Sequence, residues 1–381
     1  MTTPFAFGFS EAPDAAIAAR EVATQMKGRS APLGLVYVSA VFASEIDAIV
    51  DVLKAATGVE AWTGAAGMGV IAGDREIFEA PAVAAMLLDL PEDAIQPFGP
   101  IESVAGLAAV AGQAKTFAGA LGAALGLIHI DPTGDPDGSG VANLPATLAR
   151  EAGLYLVGGL CSGQEDMPAI SSSGAASGAA TGALISLEAG VAAGVSQGCA
   201  PIGPARAIQT AGVGVLAKLD DMTAAAALYE DLRLPPDAPA DLLRHTLQGV
   251  HIALPIPGAD KRDYVVRNLT GLDLDQGLVG IAEAVEDGAT AFYCRRDADS
   301  AARDLKEMAD GAVRRLGKPP RGALYVSCLA RGPNLFGPNS EEVAIVQAAI
   351  GPDCPIVGFF ANGEIAHDRL YGYTGVLALF G

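Results

Sequence analysis

Near the end of the chain, "GFFANGEIAHDRLYGYTGVLALF" sets Asn362, Gly363, Glu364, His367, Asp368 and Arg369 between two apolar stretches. Upstream, "YVSCLARGPN" places Cys328 and Arg331 just past another apolar run. An arginine offers a planar fork of donors that fits a carboxylate, and a glutamate accepts from an ammonium group. Glu364, Asn362, Arg331 and Cys328 around one cleft would therefore suit an amino-acid-like ligand. The bland alternative is an Arg331–Glu364 ion pair that braces two loops. A third stretch, "GGLCSG" at Gly158–Gly163, adds Gly159, Cys161 and Ser162, where backbone N–H groups can cradle an anion. No Gly-Lys-Ser/Thr follows, so it is not a P-loop.

Other chemistry finds less support. His129, His245, His251 and His367 show no metal-ligand spacing. No Ser-His-Asp order is read from the sequence, and the expected catalytic set is empty. Cys328 becomes a nucleophile only with a depressed pKa, which Arg331 would have to supply. The segment Asp131–Gly140, "DPTGDPDGSG", lacks the spacing and terminal Glu of a calcium loop and reads as an acidic loop.

These residues need elements to hold them. "GLVYVSAVFA" at Gly34–Ala43 reads as a buried strand, followed by a helix from Ser44 and a glycine-rich strand, "TGAAGMGVI". The pattern returns at Gly322–Gly332, with a helix opening at Asn339–Ser340 and then "VGFFANGEI". Overlaid, Gly34 meets Gly322, Tyr37 meets Tyr325, Gly64 meets Gly358, and Val70 stands where the later copy has Glu364. A fainter copy spans Gly126–Gly163. Strand–helix–strand repeats predict mixed sheets with packed helices: an α/β, mixed α+β, pseudo-repeated two-domain chain. The candidate residues then lie at strand ends, where sites in such folds gather. "SGAATGALISLEAGVAAGVSQG" reads as a hairpin turning at Glu188–Gly190. The boundary between halves falls near 205–220: an N-terminal extension over 1–30, then domains over 31–205 and 206–381.

The bulk numbers narrow the partners. In 381 residues, 51% hydrophobic and 6% aromatic, the core must be built from small and branched side chains. A net charge of -20 argues against nucleic acid and against an anionic membrane surface. The start lacks a basic segment followed by an apolar one, and five scattered cysteines give no disulfide framework. A cytoplasmic, reducing setting is expected.

Several segments together resemble the FIST family. "GVSQGCAPIGPARAIQTAGVGVLAKLDDMTAAAALYEDL", "VVRNLTGLD", "EDGATAFYCRRDADSAARDL", "YVSCLARGPNLFGPNSEE" and the closing Gly-Glu-Ile block follow in the family's order. The resemblance implies a FIST N-terminal and a FIST C-terminal domain in an intracellular sensory protein. It implies a small ligand, an amino acid or related metabolite, and output through a separate signalling protein such as a histidine kinase, cyclase or chemotaxis component. Some bacterial members resemble this chain but bind heme and sense nitric oxide. Heme is thus the alternative cofactor, with His251, His245 or Cys354 as axial candidates. An enzyme using Glu364 or Cys328 is the remaining alternative.

Overall fold

Glycine and short branched side chains set the architecture. In a computed structural model, residues 3–121, 124–135, 140–163, 167–235, 237–256 and 263–381 are described. Part of the acidic loop at 131–140 lies outside them. The chain divides into a larger compact unit, Met1–Ser196 with Ala302–Gly381, and a smaller one, Gln197–Ala301.

The larger unit is built around three parallel strand pairs, each joined by a helix. They are Leu33–Ser39 with Trp62–Gly67, Ala124–Ile130 with Tyr155–Leu160, and Gly322–Cys328 with Ile356–Ala361. These strands read as continuous apolar runs because both faces are covered. The first connecting helix, Ile46–Thr57, buries Ile46, Ile49, Val50 and Leu53, one stripe at helical spacing, and stops at Gly58 with φ 71°. In each pair the second strand carries a glycine against its partner's backbone. A Cβ on Gly64, Gly158 or Gly358 would lie 1.7 Å from the carbonyl oxygen of Val36, Ile128 or Tyr325. The three-copy repeat is therefore real, including its faint middle member.

This register shifts one expectation. Gly64 and Gly358 face Val36 and Tyr325, so the first strands are offset by one residue from the overlay of Tyr37 on Tyr325. A one-residue offset reverses the face of every side chain. Tyr325 packs beneath helices Ala298–Leu316 and Glu341–Ile350. Tyr37 instead faces the space between sheets, stacked on Phe359 at 5.5 Å and bonded through its hydroxyl to His129 Nε2 at 3.0 Å. Thr63 meets the other His129 nitrogen at 3.3 Å, and burial pulls His129 down to about 3, so this imidazole is neutral.

Each copy is longer than its parallel pair. An outer strand (Ala6–Ser10, Ile95–Ile101 or Val191–Ser196) and a helix (Ala15–Gln25, Val104–Leu121 or Ala298–Leu316) precede it. A hairpin and a last strand (Val83–Leu88, Ala180–Ser186 or Gly375–Phe380) follow it. The last strand pairs antiparallel with the first strand of its own pair. The hairpin does not stay at home. Hairpin Gly69–Phe78 joins the sheet of the third copy, Ala169–Ala176 that of the first, and Glu364–Tyr371 that of the second. The result is three six-stranded mixed sheets linked in a ring.

The hairpin expected across Glu188–Gly190 does not form. Ala180–Ser186 pairs with Ala124–Ile130 and Ile95–Ile101, while Val191–Ser196 pairs with Gly375–Phe380 in another sheet. Its alternating small residues encode two strands but not their partners. The short turn between them, Leu187–Ala189, links the second copy to the third.

The smaller unit interrupts the third copy between its outer strand and its first helix. Strands Arg206–Gly212, Val215–Leu219, Leu278–Ile281, Tyr264–Asp273, Val250–Pro255 and Thr290–Arg296 pair antiparallel in a closed ring, a six-strand barrel. Ile208, Leu216, Ile252, Val279 and Tyr293 are among its core. Arg206 forms a two-pronged pair with Asp231, 2.7 Å on each prong, at the end of helix Ala224–Asp231. Gly203 admits that carboxylate, since a Cβ there would meet it at 2.0 Å.

Candidate functional site

The equivalent strand ends of the three copies carry different chemistry. Backbone N–H groups of Ser39, Asp131 and Cys328 donate to the carbonyls of Ala82, Ala179 and Thr374 at 2.9, 2.9 and 3.1 Å, fixing the match. The same register makes Val70, Ala169 and Glu364 equivalent, opposite Phe359, Ala65 and Gly159. Two copies are apolar at this place. The third puts a carboxylate there, with a glycine across from it.

Glu364 is fully buried. Its Oε2 accepts from the Thr374 hydroxyl at 2.9 Å and the Thr374 N–H at 3.1 Å. Among the described residues its Oε1 meets no nitrogen or oxygen donor, the Cys328 thiol being the carboxyl's other hydrogen-bonding neighbour. Burial pushes its pKa up to about 7, against the opposing effect of the Thr374 bonds and of nearby Cys328 and Arg331. Cys328 lies beside it. Burial, and then the Glu364 carboxylate, push that thiol well above its ordinary value, so it is held protonated rather than as a nucleophile.

Arg331 is also fully buried, in the loop after Gly322–Cys328. Its Nε donates to Glu342 Oε1 at 2.6 Å. Glu342 sits in the first turn of helix Glu341–Ile350 and accepts three further bonds: Tyr325 hydroxyl at 2.6 Å, Ser327 hydroxyl at 2.9 Å and Gly332 N–H at 2.7 Å. Both oxygens of Glu342 are thus committed. Burial opposes the Arg331 charge, but Glu342 more than offsets it and the guanidinium is held above its usual value. Among the described residues Nη1 and Nη2 of Arg331 have no hydrogen-bond partner, and the Phe336 ring lies 5.1 Å from its Cζ. Buried polar atoms are nearly always bonded, so unpartnered ones call for an explanation.

Helix Glu341–Ile350 is capped from far away. Ser340, in the left-handed region with φ 59°, makes no side-chain cap. Glu76 of strand Arg75–Phe78 accepts instead from Val343 N–H at 2.8 Å, and its own N–H donates to Ser340 Oγ at 2.9 Å. Burial, with Glu342 and Glu341 nearby, pushes Glu76 up to about 7.

The structure thus gathers Glu364, Arg331 and Cys328 and sets Gly159 across from Glu364. Asn362 is exposed, with its N–H on the Leu160 carbonyl at 3.2 Å. Cys161 is buried, its N–H on Ile130 O at 2.8 Å and its thiol pushed up by burial and Asp131. Ser162 joins strand ends of all three copies: its N–H reaches Ala66 O, its hydroxyl donates to Phe360 O, and Met68 N–H donates to it. Arg331 pairs with Glu342, not Glu364. Sequence reasoning missed Glu342, Thr374, Phe336 and Glu76. Only Glu342 left a signal: it falls on the helix's buried stripe, four and eight residues before Val346 and Ile350.

The heme candidates are scattered. His251 lies on barrel strand Val250–Pro255, and burial together with Arg296 holds it down to about 4. His245 is exposed on helix Ala240–Thr246 of the same unit. Cys354 belongs to the larger unit, packed in an apolar cluster with its thiol pushed up to about 12 by burial. A protonated, core-packed thiol does not fit as an iron ligand; the neutral imidazole of His251 keeps the donor chemistry. Among the described residues, no group of three or more His, Cys, Asp or Glu could hold a metal ion. Among them also, no helix is long and apolar enough to cross a membrane.

Comparison with known proteins identifies the family. The FIST N domain matches residues 32–222 and the FIST C domain residues 224–367, and the chain belongs to the FIST family. FIST domains are associated with small-ligand sensing in signalling proteins. An uncharacterized protein of Mycobacterium tuberculosis (strain ATCC 25618 / H37Rv) is 29% identical over 391 residues, covering 98% of each chain. An uncharacterized protein of Mycobacterium bovis is 35% identical over 194 residues, 48% of this chain and 49% of that one.

Proposed function

We propose that this protein is a sensor that binds a small metabolite of the amino-acid class between Arg331 and Glu364. On this reading it acts in the cytoplasm and signals through a separate partner, a histidine kinase, a cyclase or a chemotaxis component. One observation carries the proposal: among the described residues, Arg331 Nη1 and Nη2 and Glu364 Oε1 are buried without a nitrogen or oxygen hydrogen-bond partner. A ligand acceptor group would take the guanidinium donors and a ligand ammonium would take Oε1. The apolar residues at the equivalent places in the other copies support it, because the backbone frame forms without these charges. Both groups are enclosed, so the ligand enters when the loop following Cys328 or the turn at Tyr373 moves aside. Residues in that loop and turn with positive φ, Gly332, Gly337, Ser340 and Tyr373, are the pivots available.

A thermal-shift screen of the full chain against amino acids and related metabolites tests the proposal. A ligand that binds only the native state must raise its stability. The expected result is a rise with some members of the panel that Glu364→Ala abolishes. An equal rise in Glu364→Ala overturns the site. An absorption band in the Soret region of the purified protein would instead favour heme sensing.

A further inference from the structure

Charge must balance in an enclosed site, because an uncompensated buried charge is strongly unfavourable. Around the unpartnered atoms the count is short. Arg331 is positive and Glu342, committed to four donors, is its negative partner. The groups facing Glu364 are Thr374, the Cys328 thiol, Arg331, Tyr371 across its hairpin and Gly159 across the sheet. Arg331 is the one charged group in that set, and Glu342 already neutralises it. Among the described residues, Glu364 therefore stands as a negative charge without a counterion whenever it ionises.

We propose that, within the amino-acid class and resting on the binding site argued above, this protein selects ligands of net charge +1. Such a ligand carries an ammonium group and an uncharged carbonyl, as in an amino-acid amide, an ester or a peptide N-terminus. The carbonyl oxygen accepts from Arg331 Nη1 and Nη2, and the ammonium donates to Glu364 Oε1. Arg331 and the ammonium then balance Glu342 and Glu364 while Glu76, beside Glu342, keeps its proton. A free zwitterionic amino acid instead brings a third negative charge and leaves the site at −1. It balances only while Glu364 keeps its proton, and its ammonium then faces a neutral carboxyl.

The two ligand types consequently differ in proton linkage. The amide displaces the proton of Glu364 on binding, so its affinity rises with pH until Glu364 is ionised in the free protein. The zwitterion binds the protonated form, so its affinity is level in that range and falls above it. Glu364 titrates near neutrality, at about 7, which puts the crossover within reach of ordinary buffers.

Titration calorimetry on the full chain, with common L-amino acids and the matching L-amino-acid amides, tests this. Between about pH 5.5 and about pH 7, the best amide should gain roughly tenfold in affinity while its parent acid stays level. Glu364→Gln, which keeps the shape and removes the charge, should weaken the amide by at least about tenfold and leave the acid little changed. Two results overturn the inference. If acids and amides bind equally and without pH dependence, yet Glu364→Ala abolishes binding of both, the charge rule fails and the site stands. If no probe shows binding sensitive to Glu364→Ala, the site itself fails and the charge rule with it.

Discussion

Glu342 is the residue that makes a buried arginine tolerable here. It occupies both oxygens with four donors, three of them side chains, inside a space closed to water. Removing it strands the Arg331 charge together with the hydroxyls of Tyr325 and Ser327. Glu342→Ala should therefore cost about 3–5 kcal/mol of stability, measured by urea unfolding, well beyond an ordinary point substitution. Glu364 acts in the opposite sense. Its folded pKa, about 7, lies above the roughly 4.3 of an unfolded chain, so the native state binds the extra proton. Stability from this group is full below the unfolded value and is lost as pH rises through about 7, and Glu76 adds in the same direction. Melting temperature should therefore fall between about pH 5 and about pH 7.5, and Glu364→Gln should flatten that fall without abolishing it, because Glu76 remains. The sequence singled out Glu364, Arg331 and Cys328 because polar types at strand ends stand out against apolar copies. It did not reveal Thr374 or Glu76. The hydrogen bond from Val343 to Glu76 spans 267 residues, and no local pattern encodes a contact of that reach.

At the scale of elements, the parallel pairs were legible from runs of branched residues and recurring glycines. The pairing register was not. Similar first strands at Gly34 and Gly322 invited an overlay one residue away from the one that the glycine contacts enforce. Those contacts give a sharp prediction. Gly64→Ala, Gly158→Ala and Gly358→Ala each place a methyl group 1.7 Å from a carbonyl oxygen, so the strand pair must separate. Each should cost at least about 3 kcal/mol, or prevent folding. Gly58→Ala is the control: φ is 71° but nothing lies within 4 Å, and only the left-handed strain of about 1 kcal/mol is expected. The exchanged hairpins were equally invisible, because a two-strand pattern specifies alternation and turn chemistry but not which sheet edge will receive it.

For the whole molecule, three similar copies would ordinarily suggest semi-independent repeats. The exchange of hairpins argues otherwise for the larger unit, since each sheet is completed by another copy. Trp62, the single tryptophan, is buried in the first copy and reports on it. If the copies unfold together, a milder lesion in the third, Ile356→Val, should move the Trp62 fluorescence midpoint in urea by as much as it moves the far-ultraviolet dichroism midpoint. A Trp62 midpoint that Ile356→Val leaves unmoved would mean that the ring of hairpins does not couple the copies. The barrel interrupting the third copy explains why the chain reads in sequence as two halves although its folding units are discontinuous.

The central claim is that Arg331 and Glu364 await a ligand, and ligand-induced stabilisation tests it most directly. Melting curves of the wild-type protein and Glu364→Ala, each with the same panel of amino acids and amides, should show a rise for particular members in the wild type and none in the variant. A panel that stabilises both proteins equally, or neither, would contradict the account.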